Sequence, residues 1–185
     1  LYELCRGIRD LTPPVSGYHE FYTPPEYSIL APWDKGNALA YLARRPNVAN
    51  NFLGWPENAE ANLQPYRFLV SDSLADAQAI LDDCGARYVV VSEPILSGQF
   101  AMMLDVLGFD RKDYFAVNDD GKFEIRPKTA HSMAVRLYIN DGRAMNYFRL
   151  VFESRARQPV AGRLISAHKI FEYSKTGVWQ TPALR

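Results

Sequence analysis

Apolar positions in the first half of the chain alternate between helical spacing and short strand-like runs. Helical spacing predicts three helices, at residues 34–45, 73–84 and 97–107. Apolar and β-branched runs predict three strands, at residues 27–31, 47–52 and 87–92. The last strand is centred on three consecutive valines, which is typical of a strand buried on both faces of a parallel sheet. A polar loop containing Pro56 and Pro65 precedes the second helix.

The second half of the chain has a different pattern, in which turn signals separate strand-like segments. Residues 118–121 and 140–142 carry Asn, Asp and Gly in turn-forming order, while residues 147–153 and 168–173 alternate or cluster β-formers. Residues 131–138 fit either a helix or a strand. We therefore predict a mixed α/β fold, in which an N-terminal α/β unit with a largely parallel sheet packs against a strand-rich C-terminal part.

The length of 185 residues and the apolar fraction of 48% fit one globular unit with a well-buried core. Residues 1–26 are predicted to form a helix and a loop rich in proline and aromatic residues, residues 27–110 the α/β core, and residues 111–185 the strand-rich part. The chain begins at Leu1, inside an apolar stretch, so we expect it to be part of a longer protein. Its apolar stretches are far shorter than the roughly 18 residues that a membrane helix requires.

Charge and residue spacing exclude several classes of function. The 21 basic residues balance the 21 acidic ones, so no net field attracts nucleic acid and we expect no nucleic-acid partner. The turn at 118–121 lacks the spacing of a calcium loop, because Ala116 occupies the first ligand position. Cys5 and Cys84 fit two thiols or, in an oxidising compartment, a disulfide. Metal-ligand spacing is also missing among the three histidines, which are His19, His131 and His168.

The segment from Leu30 to Phe52 carries the most informative chemistry. Trp33 and Asp34 lie between the carboxyl end of a predicted strand and the start of a predicted helix, where α/β proteins commonly bind ligands. An ionised Asp can accept a hydrogen bond from a hydroxyl there, and Trp supplies an apolar wall and one N–H donor. The same residues also fit a purely structural interpretation, with Asp34 as the helix N-cap and Trp33 in the core.

As it stands, LAPWDKGNALAYLARRPNVANNF resembles the WWDYG motif region of the oligosaccharyltransferase catalytic subunit. Trp33, Asp34 and Gly36 match the motif, whereas Pro32 replaces its first Trp and Lys35 its Tyr. A following RPxxxNN element also matches, at Arg45, Pro46, Asn50 and Asn51. The resemblance extends over roughly residues 27–173, through GARYVVVS and the later segments RLYINDG, FRLVFES and KIFEYS.

The resemblance implies an extracytoplasmic domain that helps to recognise the Ser or Thr of an Asn-X-Ser/Thr acceptor. It implies that Asp34 accepts a hydrogen bond from that hydroxyl, that Trp33 forms a wall and a donor, and that Gly36 belongs to the same site. The second acceptor motif of the family falls nearest to Gln99 and Met103, of which Gln99 departs from the expected Lys or Ile and Met103 also fits a plain core position.

The resemblance also implies partners and a cofactor outside this chain. The expected partners are the acceptor polypeptide, a transmembrane domain of the same protein and, through that domain, a lipid-linked oligosaccharide donor. A divalent metal, Mg²⁺ or Mn²⁺, and the catalytic carboxylates are expected in the membrane domain, so this chain alone is expected to have no transferase activity. The alternative is a non-catalytic scaffold or interaction domain of another membrane glycosyltransferase, in which Trp33 and Asp34 are structural.

Overall fold

A computed structural model of the chain describes residues 1–16, 18, 22–51, 56–93, 98–120, 123–160 and 162–179. The helices in these ranges are α1 (Tyr2–Leu11), a composite α2, α3 (Pro56–Val70), α4 (Leu74–Asp83), α5 (Gln99–Val106), α6 (Pro127–His131) and α7 (Met133–Tyr138). Helix α2 begins as a 3-10 turn, continues as one α-helical turn and ends as a π-helix, at Trp33–Lys35, Gly36–Ala38 and Leu39–Ala43. A separate 3-10 turn covers Arg111–Asp113.

The strands in the same ranges are β1 (Ser28–Leu30), β2 (Ala86–Ser92), β3 (Phe115–Val117), β4 (Phe123–Ile125), β5 (Phe148–Glu153), β6 (Arg157–Val160), β7 (Arg163–Ser166) and β8 (His168–Tyr173). Four of them form the main sheet, in the order β1, β2, β8, β5. Two antiparallel pairs, β3 with β4 and β6 with β7, lie outside it.

The predicted mixed α/β fold is confirmed: the N-terminal strands pair in parallel, and the C-terminal strands join the same sheet in antiparallel orientation. Strand β1 pairs with β2 in parallel, whereas β8 is antiparallel to both of its neighbours, β2 and β5. The apolar run in β2 indicates burial on both faces, which requires cover on both faces and is compatible with one parallel and one antiparallel neighbour. Here the cover comes from helices on the two sides of a mixed sheet.

Alternate side chains of β2 enter two separate apolar clusters, one on each face of the sheet. Val89 and Val91 pack with residues of α3, α4, α5 and α7. Tyr88 and Val90 pack with α1, α2 and Ile170 of β8. The period of two along the strand therefore separates a thick helical layer from a thinner layer made of α1 and α2.

Three local predictions need correction or completion. The strand predicted at 47–52 is reduced to a single parallel bridge between Asn47 and Ile29, and Phe52 lies outside the described residues. Residues 131–138, which fitted either element, are mainly helical and include α7. The loop predicted around Pro65 is wrong, because α3 runs through that proline.

The two thiols are unpaired: Cys5 is buried and Cys84 is half-buried. Helix α1 is instead held in place by Arg45, which lies two residues after the end of α2. Arg45 is 6% exposed, and its guanidinium donates to the Thr12 hydroxyl at 2.9 Å, the Thr12 carbonyl at 2.8 Å and the Arg9 carbonyl at 3.0 Å. These acceptors lie at the end of α1, where helical carbonyls lack partners within the helix. Arg45, which matched the RPxxxNN element, therefore joins α1 to α2.

Replacing Arg45 by Ala should lower the free energy of unfolding by about 3 kcal/mol, because it leaves several buried carbonyls without donors. Urea unfolding of the 185-residue chain measures the loss. The matched control is Arg6→Ala, on α1 itself. The side chain of Arg6 is 60% exposed, so this substitution should change stability by less than about 0.5 kcal/mol. Equal effects of the two substitutions would contradict the assigned role.

Candidate functional site

The turn that follows β1 contains the residues singled out by the sequence. Strand β1 ends at Leu30 and α2 begins at Trp33, so Trp33 and Asp34 lie at the carboxyl end of the strand, as predicted. Because β2 runs parallel to β1, its carboxyl end lies at the same edge of the sheet. Helix α5, the next described helix after β2, contributes its first turn to the same place.

A small cavity of about 40 Å³ lies where these segments meet. Its lining residues come from the turn, from α3 and from α5, and are Pro32, Trp33, Asp34, Tyr66, Gln99, Met102 and Met103. This volume is far below that of a site for a drug-sized ligand, roughly 300 to 1,000 Å³. It admits a few atoms, such as the hydroxyl and methyl groups of a threonine side chain.

Trp33 forms a wall of this cavity and is partly buried against the main core. Its indole Nε1 donates a hydrogen bond to the hydroxyl of Tyr66 on α3. The single donor that the sequence assigned to Trp33 is therefore engaged within the domain.

Asp34 is the most accessible acid at the cavity, with its side chain 39% exposed. Its Oδ2 accepts a hydrogen bond from Lys35 Nζ at 2.8 Å. The N-cap interpretation is wrong, because the cap positions of the 3-10 turn and of the following α-helical turn are Pro32 and Lys35, and neither has a side-chain cap. The helix begins one residue earlier than predicted, which places Asp34 inside the first turn.

Gly36 was expected in the acceptor site, but the structure places it against a neighbouring loop. A Cβ at this position would lie 2.0 Å from the Ala49 carbonyl oxygen and 2.6 Å from Asn50 Cα. The Gly36 carbonyl accepts a hydrogen bond from Asn47 Nδ2 at 3.1 Å. The glycine of the motif thus permits two backbone segments to touch, and it does not line the cavity.

The same loop is fastened to α3. The backbone N–H of Asn50 donates to Asn62 Oδ1 at 2.9 Å, and Asn62 is buried. Helix α3 therefore holds the RPxxxNN element through Asn62 and the motif through Tyr66.

Met103, predicted as a marginal contact, reaches the cavity but is only 1% exposed and belongs to the main core. Its neighbour Met102 is 40% exposed and forms the accessible part of the α5 wall, together with Gln99. Sequence reasoning missed Met102 and Tyr66. Tyr66 had a usable signal, since Leu63, Tyr66 and Val70 recur at helical spacing, but Pro65 concealed it.

The described part of the chain has neither a metal-binding cluster nor a membrane-spanning helix. Within residues 1–16, 18, 22–51, 56–93, 98–120, 123–160 and 162–179, no three His, Cys, Asp or Glu side chains converge, so these residues do not fit the expected divalent metal. In the same ranges, no helix has the length and apolarity needed to cross a membrane. His19 lies outside the described residues, and His131 is exposed on α6.

Comparison with known proteins gives a consistent result. A sequence model of the AglB core domain matches residues 15–96. The chain is 28% identical over 137 residues to dolichyl-phosphooligosaccharide-protein glycotransferase 1 of Archaeoglobus fulgidus, which covers 71% of this chain and 21% of that relative. Its fold matches the C-terminal globular domain of the A. fulgidus oligosaccharyltransferase AfAglB-S2 with a TM-score of 0.71 and 21% identity, over 94% of this chain and 96% of that domain.

The chain is similar in sequence to AglB oligosaccharyltransferases, and its fold is that of their C-terminal globular domain. It spans about a fifth of the length of the curated relatives that it matches. A further match is an A. fulgidus oligosaccharyltransferase tethered to an acceptor peptide containing the NVT sequon, with a TM-score of 0.62 and 20% identity over 83% of this chain and 23% of that one. The resemblance inferred from the WWDYG-like segment is confirmed, and the AglB core match includes Trp33, Asp34 and Tyr66.

Next to the WWDYG-like segment, His168 at the start of β8 has an unusual environment. Its Nδ1 is buried without a hydrogen-bond partner among the described residues. Burial lowers the pKa of His168 to about 4, and the positive charge of Lys35 adds to this effect, whereas Asp34 and Glu3 oppose it. The neutral imidazole is therefore the form that fits the folded domain.

Replacing Gly36 by Ala should destabilise the domain by about 2 to 3 kcal/mol, because the added Cβ displaces backbone rather than a flexible side chain. The control is Gly108→Ala, where a Cβ meets no heavy atom within 4 Å and the cost, about 1 kcal/mol, comes from a φ of 74°. Chemical unfolding compares the two variants. A smaller loss for Gly36→Ala than for Gly108→Ala would show that the loop yields easily.

The low pKa of His168 should make folding stability depend on pH. Since the folded value of about 4 lies below the ordinary 6.5, the stabilisation is complete above about pH 6.5 and is lost as the pH falls toward 4. With solvent screening, the loss is on the order of 1 to 2 kcal/mol. His168→Gln should remove this part of the acid dependence.

The measurement is the free energy of unfolding between pH 7.5 and 4 for wild type, His168→Gln and the exposed-site control His131→Gln. The control should follow the wild-type curve. A His168→Gln curve parallel to wild type would refute the assignment.

Proposed function

We propose that this chain is the acceptor-binding domain of a membrane oligosaccharyltransferase, which transfers a glycan from a lipid-linked donor to the Asn of an Asn-X-Ser/Thr sequence. The relative's name, a dolichyl-phosphooligosaccharide-protein glycotransferase, supports the lipid-linked donor. The structural neighbour tethered to a peptide with an NVT sequon supports the acceptor. The domain is proposed to lie on the extracytoplasmic side, attached to a membrane domain of the same protein.

The observation that carries the acceptor role is the cavity at the carboxyl end of β1. It brings together the carboxylate of Asp34, the indole of Trp33 and the first turn of α5. Asp34 Oδ2 is held by Lys35, and within the described residues Oδ1 has no partner, so a hydroxyl can donate to it. The volume suits the side chain of Ser or Thr and no larger group.

The paired Lys35 fixes the direction of this carboxylate. Lys35 is 8% exposed, and its ammonium lies 2.8 Å from Asp34 Oδ2. The hydrogen bond from this ammonium holds the carboxylate in one orientation, with its second oxygen toward the cavity. Lys35 thus supports recognition from the position that is Tyr in the WWDYG motif.

Catalysis is assigned to the remainder of the enzyme. We place the divalent metal, Mg²⁺ or Mn²⁺, and the carboxylates that hold it in the membrane domain, because the described residues of this chain do not fit a metal. Here the domain contributes binding and orientation of the acceptor. Holding the sequon in register with the catalytic groups converts a bimolecular encounter into an oriented reaction.

Asp34→Asn should reduce kcat/KM for an Asn-X-Thr peptide about tenfold in the complete enzyme, because a neutral acceptor replaces a charged one. The unfolding midpoint of the 185-residue chain should change little, since the amide oxygen still accepts from Lys35. Glycosylation kinetics and thermal unfolding are measured together.

Asp119→Asn, an exposed carboxylate in the turn after β3, is the control and should keep full activity. Normal glycosylation by a folded Asp34→Asn enzyme would remove the support for acceptor recognition and favour the scaffold interpretation.

A further inference from the structure

Tyr66 lines the cavity but lies outside the motif, and the proposed function assigns it no role. It lies on α3, is 5% exposed and places its hydroxyl beside Trp33. Its neighbour one turn earlier, Asn62, fastens the same helix to the loop at Asn50. The phenol is therefore held from a fixed element, which favours a precise hydrogen bond.

The hydroxyl of Tyr66 has an unused proton. A phenol donates one hydrogen bond and also accepts. Its acceptor capacity is engaged by the indole N–H of Trp33, and the structure shows no acceptor for its proton among the described residues. Burial raises the pKa of Tyr66; the Trp33 hydrogen bond opposes this rise and the charge of Asp34 adds to it, so the phenol keeps its proton at neutral pH.

The cavity also needs a donor. A bound Ser or Thr hydroxyl donates its proton to Asp34, and its oxygen is left to be satisfied by a second group. Pro32, at the first Trp of the motif, has no side-chain donor, and the N–H of Trp33 points to Tyr66. Lys35 does not line the cavity, and its ammonium is bonded to Asp34. The side-chain donors that line the cavity are thus the Gln99 amide and the Tyr66 hydroxyl, and the Tyr66 hydroxyl is the one fixed by a hydrogen bond to the motif.

We propose that Tyr66 determines specificity for the sequon hydroxyl, by donating its phenolic proton to the hydroxyl oxygen while Asp34 accepts the hydroxyl proton. This proposal rests on the proposed acceptor function. Trp33 acts through Tyr66 in this arrangement: its N–H polarises the phenol and makes it a stronger donor. Trp33 is thus a positioning residue as well as a wall.

The test measures the binding of two peptides to the complete enzyme and to two of its variants, Tyr66→Phe and Asp34→Asn. The peptides carry Gln in place of the acceptor Asn, so that they bind without being glycosylated, and they end in Thr or in the nearly isosteric Val. Tyr66→Phe removes one oxygen atom and should weaken the Gln-X-Thr peptide about threefold to tenfold. The affinity for Gln-X-Val should not change, because that peptide offers no hydroxyl.

The control is Tyr114→Phe, another buried tyrosine, which lies outside this cavity and should leave both affinities unchanged. Equal weakening of both peptides by Tyr66→Phe would overturn the proposal, because a purely structural effect does not distinguish them. Unchanged binding of Gln-X-Thr to Tyr66→Phe, with weaker binding to Asp34→Asn, would overturn the role of Tyr66 alone. If neither variant weakens Gln-X-Thr, the acceptor function fails as well.

Discussion

The parallel pairing of β1 with β2 determines where the candidate site forms. Two parallel neighbours end at the same edge of a sheet, so the turn into α2 and the first turn of α5 lie side by side although more than 60 residues separate them. An antiparallel β2 would direct α5 to the opposite edge. The mixed sheet thus keeps one parallel pair at the place where ligand recognition is proposed, and uses antiparallel pairing with β8 and β5 for the rest.

The motif region divides into residues that face the cavity and residues that support it. Trp33 and Asp34 line the cavity, while Gly36 lies against the loop of the RPxxxNN element and Arg45 joins α2 to the end of α1. Two short sequence matches, 30–36 and 45–51, therefore describe one structural unit. The cavity-lining side chains, Trp33 and Asp34, lie at the beginning of this unit, and its later residues hold them in position.

The sequence allowed the motif, β2, α4 and α5 to be predicted, because each has a strong local signal in apolar spacing or capping. It could not reveal the direction of β8, which is set by long-range pairing in a strand-rich segment. Helix α3 was missed because Pro65 contradicts helix by local rules, although burial of Tyr66, Phe68 and Leu69 outweighs the lost backbone hydrogen bond. Without α3, the partner of Trp33 could not be inferred.

Asn62 and Tyr66 are four residues apart on α3 and therefore share one face of that helix. Asn62 accepts a hydrogen bond from the loop beside Gly36, and Tyr66 accepts one from Trp33 at the cavity. A shift of α3 along its axis would consequently move both contacts together and change the depth of the cavity without any change in the motif. The core residues that pack against α3 set its position along its axis. Relatives with identical motifs can therefore differ in acceptor preference when these core residues differ.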